Sequence, residues 1–274
     1  MSFGPLVSAE WLREHLHDPD LRVIDFRWYL AGKRGREEYE RGHIPGAVFV
    51  DLESVTGADG PGRHPLPTAA QFEEEMREAG VSDVTRVIAY DDVGGSVAGR
   101  LWFLLGWFGH EGQAVLDGGL QAWGEPLDSS YPIVRPGDFP ALEPDASRVV
   151  DFSAIWELDG VPVLDARAGE RYRGEKEPVD PKAGHIPGAL SAPWTENLAP
   201  DGRFKSAAEL RDRYSSLGVS ADVGAVAYCG SGVNGCHHLL AMEVAGLHNG
   251  RLYAGSWSDW SRRDAPVATG PDSG

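Results

Sequence analysis

The chain contains one six-residue segment twice, and this repetition limits what the chain can fold into. Residues 42–47 and 184–189 both read Gly-His-Ile-Pro-Gly-Ala. In each half an apolar run ending in Asp-x-Arg precedes this segment, and a glycine- and tryptophan-containing segment closes the half, at residues 118–123 and 255–260. These landmarks recur in the same order at an offset of roughly 136 to 142 residues, which indicates a duplicated domain rather than a short-period solenoid.

Each half alternates short apolar runs with longer amphipathic segments. In the second half, residues 207–217 read as a helix and residues 223–228 as a strand. This alternation is typical of a parallel sheet covered by helices on both faces. The sequence therefore predicts an α/β fold with two tandem domains, residues 1–124 and 148–274, each a parallel sheet flanked by helices. Residues 125–147 are predicted to be a proline-rich linker.

Charge and cysteine content exclude several classes of protein. A formal net charge of −17 with a pI near 4.9 excludes nucleic acid and anionic membranes as partners, because both require a basic face. Two cysteines in 274 residues do not make a disulfide framework. The N-terminus lacks the pattern of a signal peptide, and apolar runs such as residues 101–108 are too short to cross a bilayer. We expect a cytoplasmic protein that binds neither nucleic acid nor membrane.

Cys229 follows the strand-like run 223–228 and begins a glycine-rich loop. The next apolar run, residues 239–247, reads as a helix. A loop between a strand and a helix can turn successive backbone N–H groups toward one point, where they and the helix N-terminus stabilise an anion. The thiolate is the reactive form of cysteine, so Cys229 is a candidate nucleophile. A buried structural cysteine is the alternative.

The repeat allows the position of Cys229 to be compared with its counterpart in the first half. Tyr228-Cys229 aligns with Tyr90-Asp91, so the first half cannot perform thiol chemistry. Since a buried, unpaired carboxylate is costly, we expect this position to open to a cleft in both halves. That expectation favours a nucleophile over a core residue at Cys229.

Five motifs together identify a family resemblance. They are the paired segments at 42–47 and 184–189, the two Asp-x-Arg motifs, and the segments 170–174, 229–233 and 255–260. In this order the chain resembles the tandem-domain rhodanese-type sulfurtransferases, which include thiosulfate sulfurtransferase and 3-mercaptopyruvate sulfurtransferase. The resemblance covers essentially the whole chain. It implies two rhodanese folds, the N-terminal one inactive, with the active site at their interface and with no metal or organic cofactor.

The sequence of the loop after Cys229 indicates which sulfur donor the protein uses. Thiosulfate-type members of the family resemble Cys-Arg-Lys-Gly-Val-Thr, whereas mercaptopyruvate-type members resemble Cys-Gly-Ser-Gly-Val-Thr. Gly230 and Ser231 match the second pattern, and Asn234 departs from the usual Thr. The resemblance implies substrate contacts from four loop residues: Gly230, Gly232, Val233 and Asn234.

The implied reaction takes sulfur from a small anionic donor, 3-mercaptopyruvate, through a Cys229 persulfide. The acceptor is a thiol, such as that of a thioredoxin-like protein, or cyanide. Thiosulfate:cyanide transfer by the same cysteine and a non-catalytic sulfur-carrier or docking module are the alternatives.

The resemblance also implies roles for four side chains. Ser231 matches a catalytic serine that relays a proton with a histidine, and His43 matches that histidine. Arg171 matches an arginine that grips the substrate carboxylate, and Arg173 is a weaker candidate. A second family arginine falls near Val179, where this chain has none.

Each of these side chains also has a purely structural interpretation. Ser231 could bond its own loop, His43 could brace its turn, and Arg173 could form a surface ion pair. His185, the copy of His43, is expected to hold its turn together. Cys236 is expected to pack in the core, with a role as a resolving thiol as the alternative.

Overall fold

The computed structural model describes residues 4–274, and the chain forms two compact units. Within these residues, unit 1 comprises residues 4–57, Pro67–Asp145 and Pro200–Phe204. Unit 2 comprises Ala58–Leu66, Ala146–Ala199 and Lys205–Gly274.

 The second of these ranges in unit 2, Ala146–Ala199, begins inside the segment 125–147 that the sequence predicts as a linker. The predicted α/β fold of two domains, each a parallel sheet flanked by helices, is confirmed.

Unit 1 is built on a five-stranded parallel sheet in the order β1-β5-β4-β2-β3. Its strands are β1 Leu6–Val7, β2 Leu21–Asp25, β3 Val48–Phe49, β4 Arg86–Tyr90 and β5 Gln113–Leu116. Its helices are α1 Ala9–His15, α2 Gly35–Arg41, α3 Ala69–Glu78, α4 Ala98–Trp107 and α5 Gly119–Trp123, with a 3-10 turn at Glu53–Val55. The central strand β4 is apolar and buried except at Arg86, as expected for a strand covered on both faces.

Unit 2 repeats this topology with the strand order β6-β10-β9-β7-β8. Its strands are β6 Val149–Val150, β7 Val163–Asp165, β8 Leu190–Ser191, β9 Ala225–Tyr228 and β10 Gly250–Tyr253. Its helices are α6 Phe152–Ile155, α7 Gly169–Tyr172, α8 Ala207–Ser216, α9 Val233–Val244 and α10 Ser256–Trp260, with 3-10 turns at Ala146–Arg148 and Trp194–Asn197. Each strand therefore occupies the place of its counterpart five strands earlier.

The repeated Asp-x-Arg motif joins the sheet to the repeated turn in both units. Asp165 accepts hydrogen bonds from Nε and Nη2 of Arg167, and Arg167 Nη2 also donates to the carbonyl of Gly184 at 2.6 Å. Asp25 and Arg27 make the same contacts in unit 1. Both pairs are buried, so these charges are paired inside the protein and hold the scaffold together.

Three segments between the regular elements complete the units. The proline-rich residues 126–145 belong to unit 1, where the N–H of Leu142 donates to Phe108 O at 3.0 Å and Phe139 is buried. Ala58–Leu66 belongs to unit 2, and Pro200–Phe204 belongs to unit 1. None of the helices in residues 4–274 combines the length and apolarity needed to span a membrane.

Candidate functional site

Cys229 lies at the carboxyl end of β9, the central strand of the unit 2 sheet. It is a free cysteine with 3% of its surface exposed. Its N–H donates to Ser256 Oγ at 3.1 Å, and its carbonyl accepts from the N–H of Trp257 at 3.0 Å. The start of α10 therefore fixes the backbone of the cysteine.

Ser256 adopts a backbone conformation that is unusual for its residue type. It is the only non-glycine residue with a positive φ, 54°, among residues 4–274. Such a conformation costs about 1–3 kcal/mol and persists where the surroundings hold it. Here its hydroxyl donates to Tyr253 O at 2.9 Å and accepts from Cys229, so the strained residue supports the backbone of the cysteine.

The loop after Cys229 is short, and α9 begins at Val233. Gly232 takes φ +82°, and a Cβ at this position would lie 2.6 Å from the carbonyl oxygen of Ala254. Only glycine can make this turn without displacing the neighbouring backbone. The first turn of α9 thus starts four residues after the cysteine, six residues before the helix that residues 239–247 predict.

The equivalent loop of unit 1 shows what such a loop can bind. The carboxylate of Asp91 accepts four backbone hydrogen bonds of 2.8–2.9 Å, from the N–H groups of Val93, Gly95, Val97 and Ala98. Burial raises the pKa of Asp91, and these four hydrogen bonds act in the opposite direction. An anion at this position of the repeat is therefore held by the N–H groups of its own loop.

The expectation that this position opens to a cleft in both halves is wrong. Asp91 is fully buried and Cys229 is 3% exposed. The physical reason is that the carboxylate of Asp91 is satisfied internally by N–H groups, so a cleft is not required to avoid an unpaired buried charge.

Ser231 and His64 form a hydrogen-bonded pair beside the cysteine loop. Ser231 Oγ lies 2.8 Å from His64 Nδ1, and the two residues are 8% and 5% exposed. His64 reaches Ser231 because Ala58–Leu66 is part of unit 2. Sequence reasoning missed this histidine. A signal was present, because residues 62–64 read Gly-Arg-His where the repeat, residues 202–204, reads Gly-Arg-Phe.

His43 lies in unit 1 and contacts backbone there. Its Nδ1 is 2.8 Å from Tyr39 O, its Nε2 is 3.1 Å from Ser130 O, and its ring stacks on that of Tyr39. His185 repeats the arrangement in unit 2, with Nδ1 2.8 Å from Tyr172 O and its ring stacked on Tyr172. The two histidines of the repeated turn thus occupy matching, buried environments.

Two guanidinium groups stand beside Gly230. A Cβ at Gly230 would lie 2.9 Å from Arg63 Nη2 and 3.5 Å from Arg171 Nη1. Arg171 Nη2 donates to Glu177 Oε1 at 2.6 Å and lies 3.4 Å from Asp180 Oδ2. Arg63 Nη1 also donates to Asp180. Arg171 therefore lies beside the cysteine loop, and Arg63 is a second cation there that sequence reasoning missed.

The acidic partners of these arginines are both buried. Burial acts to raise the pKa of Glu177, but the hydrogen bonds from Arg171 and from backbone N–H groups outweigh it, and the pKa is lowered. Burial raises the pKa of Asp180, against the opposing effect of Arg63. Four guanidiniums share this network with three carboxylates, namely Arg63, Arg167, Arg171 and Arg262 with Asp165, Glu177 and Asp180. The network holds positive charge on a strongly acidic chain.

The remaining candidate residues occupy different surroundings. Val233 is buried and Asn234 half-buried in the first turn of α9. Arg173 forms a surface ion pair with Glu175 at 2.7 Å and is 39% exposed. Cys236 is buried in α9, where its Sγ donates to Gly232 O at 3.3 Å. Within residues 4–274, no group of three or more His, Cys, Asp or Glu side chains is placed to hold a metal ion.

Comparison with known proteins gives consistent matches over the whole chain. Residues 8–126 and 151–263 each match the rhodanese-like domain. A protein from Pseudomonas aeruginosa named a probable 3-mercaptopyruvate sulfurtransferase is 46% identical over 286 residues, covering 98% of this chain and 100% of its own length. The human 3-mercaptopyruvate sulfurtransferase is 38% identical, covering 95% of this chain and 93% of its own length. The crystal structure of a 3-mercaptopyruvate sulfotransferase from Escherichia coli superimposes with a TM-score of 0.83 at 35% identity, covering 93% of this chain and 100% of that one.

Proposed function

Because the chain belongs to the rhodanese family of sulfurtransferases, we propose that it moves a sulfur atom from 3-mercaptopyruvate, through a persulfide on Cys229, to a thiol acceptor. The observation that carries this proposal is the loop that begins at Cys229. Its counterpart in unit 1 holds an anion, the carboxylate of Asp91, with four backbone N–H groups. A thiolate and a persulfide are anions at the same position of the repeat, and loop N–H groups stabilise both.

The first half-reaction balances without any further reactant. The Cys229 thiolate attacks the sulfur of the donor, an S–S bond forms, and the C–S bond breaks with its electron pair going to carbon. The donor's thiol proton reaches that carbon, so pyruvate leaves and Cys229 carries a persulfide anion. The loop N–H groups of Gly230, Gly232 and Val233 and the side chain of Asn234 surround that anion in this proposal.

Ser231 and His64 provide the route for this proton. Their hydrogen bond of 2.8 Å joins two groups that can both accept and donate. We propose His64 for the role that the resemblance implies for His43, because Ser231 contacts His64 while the ring nitrogens of His43 face backbone oxygens. Arg171 binds the donor carboxylate, for which the planar guanidinium is suited.

The second half-reaction returns the enzyme to its starting state. A thiolate of the acceptor attacks the outer sulfur, the S–S bond breaks, and the Cys229 thiolate leaves. We propose a thioredoxin-like protein as the acceptor and the cytoplasm as the location. Cys229 and Cys236 are not joined in a disulfide, which suits a compartment with reduced thiols.

Thiosulfate:cyanide transfer is the second candidate, and one observation favours it. The loop itself carries no cation, but Arg63 and Arg171 stand beside Gly230 and offer two guanidiniums to a dianion. Charge-assisted hydrogen bonds of this kind are the strong ones.

Steady-state kinetics with cyanide as acceptor separate the two candidates. We expect a kcat/KM for 3-mercaptopyruvate at least about tenfold above that for thiosulfate, because a carboxylate pairs with guanidinium while the loop cations of the thiosulfate type are missing. A higher kcat/KM for thiosulfate would overturn the assignment of the donor.

A further inference from the structure

We infer that Arg63 binds the carboxylate of the sulfur donor together with Arg171 and so helps to select an α-keto acid donor. This inference rests on the proposed function. It assigns a specificity-determining role to a residue that comes from the first half of the chain and packs in unit 2.

The backbone around Arg63 is held against other segments of unit 2 on both sides. The N–H of Arg63 donates to Ser258 Oγ at 3.0 Å, and the next side chain, His64, contacts Ser231 at 2.8 Å. A Cβ on Gly62, which takes φ +83°, would lie 2.5 Å from Gly255 O, so the two backbones are in close contact there. The base of the Arg63 side chain therefore has a defined position relative to the cysteine loop.

The direction of the two guanidiniums is set by a shared carboxylate. Asp180 accepts from Arg63 through Nη1 and faces Arg171 Nη2 at 3.4 Å. The Cβ position of Gly230 lies 2.9 Å from Arg63 Nη2, 3.5 Å from Arg171 Nη1 and 3.8 Å from Arg171 Nη2. Asp180 thus aligns the pair, and both guanidiniums lie beside the loop.

The geometry suits the length of the donor. The guanidiniums lie beside Gly230, which is the residue after Cys229. The Cα atoms of two consecutive residues are about 3.8 Å apart. In 3-mercaptopyruvate, two carbon atoms, the CH2 carbon and the keto carbon, lie between the sulfur and the carboxylate carbon. With the donor sulfur at Cys229, we therefore expect the carboxylate to reach the guanidiniums beside Gly230.

Charge and hydrogen bonding favour a carboxylate at this point. The four guanidiniums of the network exceed its three carboxylates, and the side chain of Asp180 is fully buried. A guanidinium can donate two parallel hydrogen bonds to a carboxylate, a geometry that an ammonium group cannot reproduce. Gly230 leaves the space that any other residue would fill between the loop and Arg63.

The test compares two donors that differ only at the proposed contact. Mercaptoacetone has a methyl group where 3-mercaptopyruvate has its carboxylate. For Arg63→Ala we expect kcat/KM with 3-mercaptopyruvate to fall about tenfold to hundredfold, mainly through KM, since a charge-assisted hydrogen bond is lost. With mercaptoacetone, the rate of sulfur loading on Cys229, followed by mass, is expected to stay at the wild-type value.

Two further variants control for charge and for folding. Arg63→Lys keeps the charge and loses the planar fork, so it should recover part of the loss in KM. Arg135→Ala removes an exposed arginine of unit 1 and should leave KM for 3-mercaptopyruvate unchanged. Equal losses with both donors would overturn the inference, because Arg63 would then act only through His64 or the fold. Unchanged kinetics with both donors would overturn it as well.

A separate readout, the gain of sulfur on Cys229, tests the proposed function itself. If Arg63→Ala still gains one sulfur on Cys229 at saturating 3-mercaptopyruvate while its KM equals that of the wild type, only the inference about Arg63 fails. If the wild-type protein gains no sulfur, the proposed function itself fails.

Discussion

At the scale of single residues, His64 and His43 differ in what their ring nitrogens contact. His64 faces the hydroxyl of Ser231, whereas His43 faces two backbone oxygens in unit 1. We expect His64→Gln to lower kcat about a hundredfold, the usual range for loss of a general acid–base group. We expect His43→Gln to lower the free energy of unfolding by about 1–3 kcal/mol and to retain kcat, because it breaks buried hydrogen bonds.

Steady-state kinetics and chemical denaturation of the two variants check this prediction. Ser231→Ala serves as a companion variant, and combining it with His64→Gln should cost little more than either change alone, since the two groups act together. A large loss of kcat in His43→Gln with normal stability would contradict the assignment.

His238 makes stability depend on pH. It is fully buried, its Nε2 lies 2.6 Å from Ala192 O, and its Nδ1 lies 2.8 Å from the hydroxyl of Tyr214. Burial lowers the pKa of His238 to about 3. In the unfolded chain its pKa is about 6.5, so below that pH the unfolded state binds a proton that the folded state does not. Stability therefore falls as pH drops from about 6.5, by up to about 1.4 kcal/mol per pH unit from this residue.

Denaturation curves at about pH 7 and about pH 5 measure this effect. His238→Gln removes the titrating group, so its free energy of unfolding should change less between these pH values than that of the wild type. An identical pH dependence in the variant and the wild type would contradict the assignment of this loss to His238.

Comparing the two halves of the sequence distinguishes structural residues, which occur in both copies, from residues that are specific to one copy. His43 and His185 occur in both halves and have matching buried contacts. Cys229 and His64 have Asp91 and Phe204 as their counterparts, so they are specific to one copy. The family resemblance pointed to a histidine paired with Ser231 but not to His64, because the residues that surround this histidine are distant in sequence.

At the scale of elements, the turn from the cysteine loop into α9 depends on Gly232. We expect Gly232→Ala to destabilise the protein by more than the roughly 1–2 kcal/mol of a left-handed backbone, because its Cβ would lie 2.6 Å from Ala254 O. Gly188→Ala is the matched control, since Gly188 has φ +86° but no atom within 4 Å of its Cβ position.

Thermal unfolding of the two variants gives the comparison. The Gly188 variant should show only the cost of the backbone conformation, and the Gly232 variant should lose more stability and also lose sulfur transfer. Equal losses in stability would show that the close contact with Ala254 adds nothing.

The start of α9 could not be predicted from periodicity. Most of the helix is buried, including the polar His237 and His238, so it has no exposed face to produce an amphipathic pattern. The apolar run 239–247 therefore indicated only its later turns. By contrast, α8 was predicted at residues 207–217 and lies at Ala207–Ser216, since it has a polar outer face and a capping residue, Ser206.

At the scale of the whole molecule, the two units are not two uninterrupted halves of the chain. Ala58–Leu66 packs in unit 2 and supplies Arg63 and His64. The duplication predicted two similar sheets, and the strand orders agree with it. Periodicity could not predict this packing, because the segment is a short glycine- and proline-containing stretch whose hydrogen-bond partners are distant in sequence.

Replacing residues 62–64 with Gly-Gly-Ser, which keeps Gly62, tests the role of this segment. We expect sulfur transfer to fall at least about a hundredfold, because the proton relay and the second guanidinium are both lost. Circular dichroism should show that both parallel sheets persist, since none of their strands includes these residues.

The repeat offers a matched control at residues 202–204, which belong to unit 1, where the N–H of Phe204 donates to Asp117 at 2.8 Å. The same replacement there should lower stability and leave sulfur loading of Cys229 intact. Wild-type activity after replacing residues 62–64 would contradict the contribution of Arg63 and His64.

The central claim is that Cys229 carries the sulfur, and intact-protein mass measures this most directly. The protein is incubated with 3-mercaptopyruvate or with thiosulfate, desalted and weighed beside Cys229→Ser. We predict that the wild-type protein gains the mass of one sulfur atom, more completely with 3-mercaptopyruvate, and that Cys229→Ser gains none. No gain in the wild type with either donor, or a gain that survives the substitution, would contradict the account.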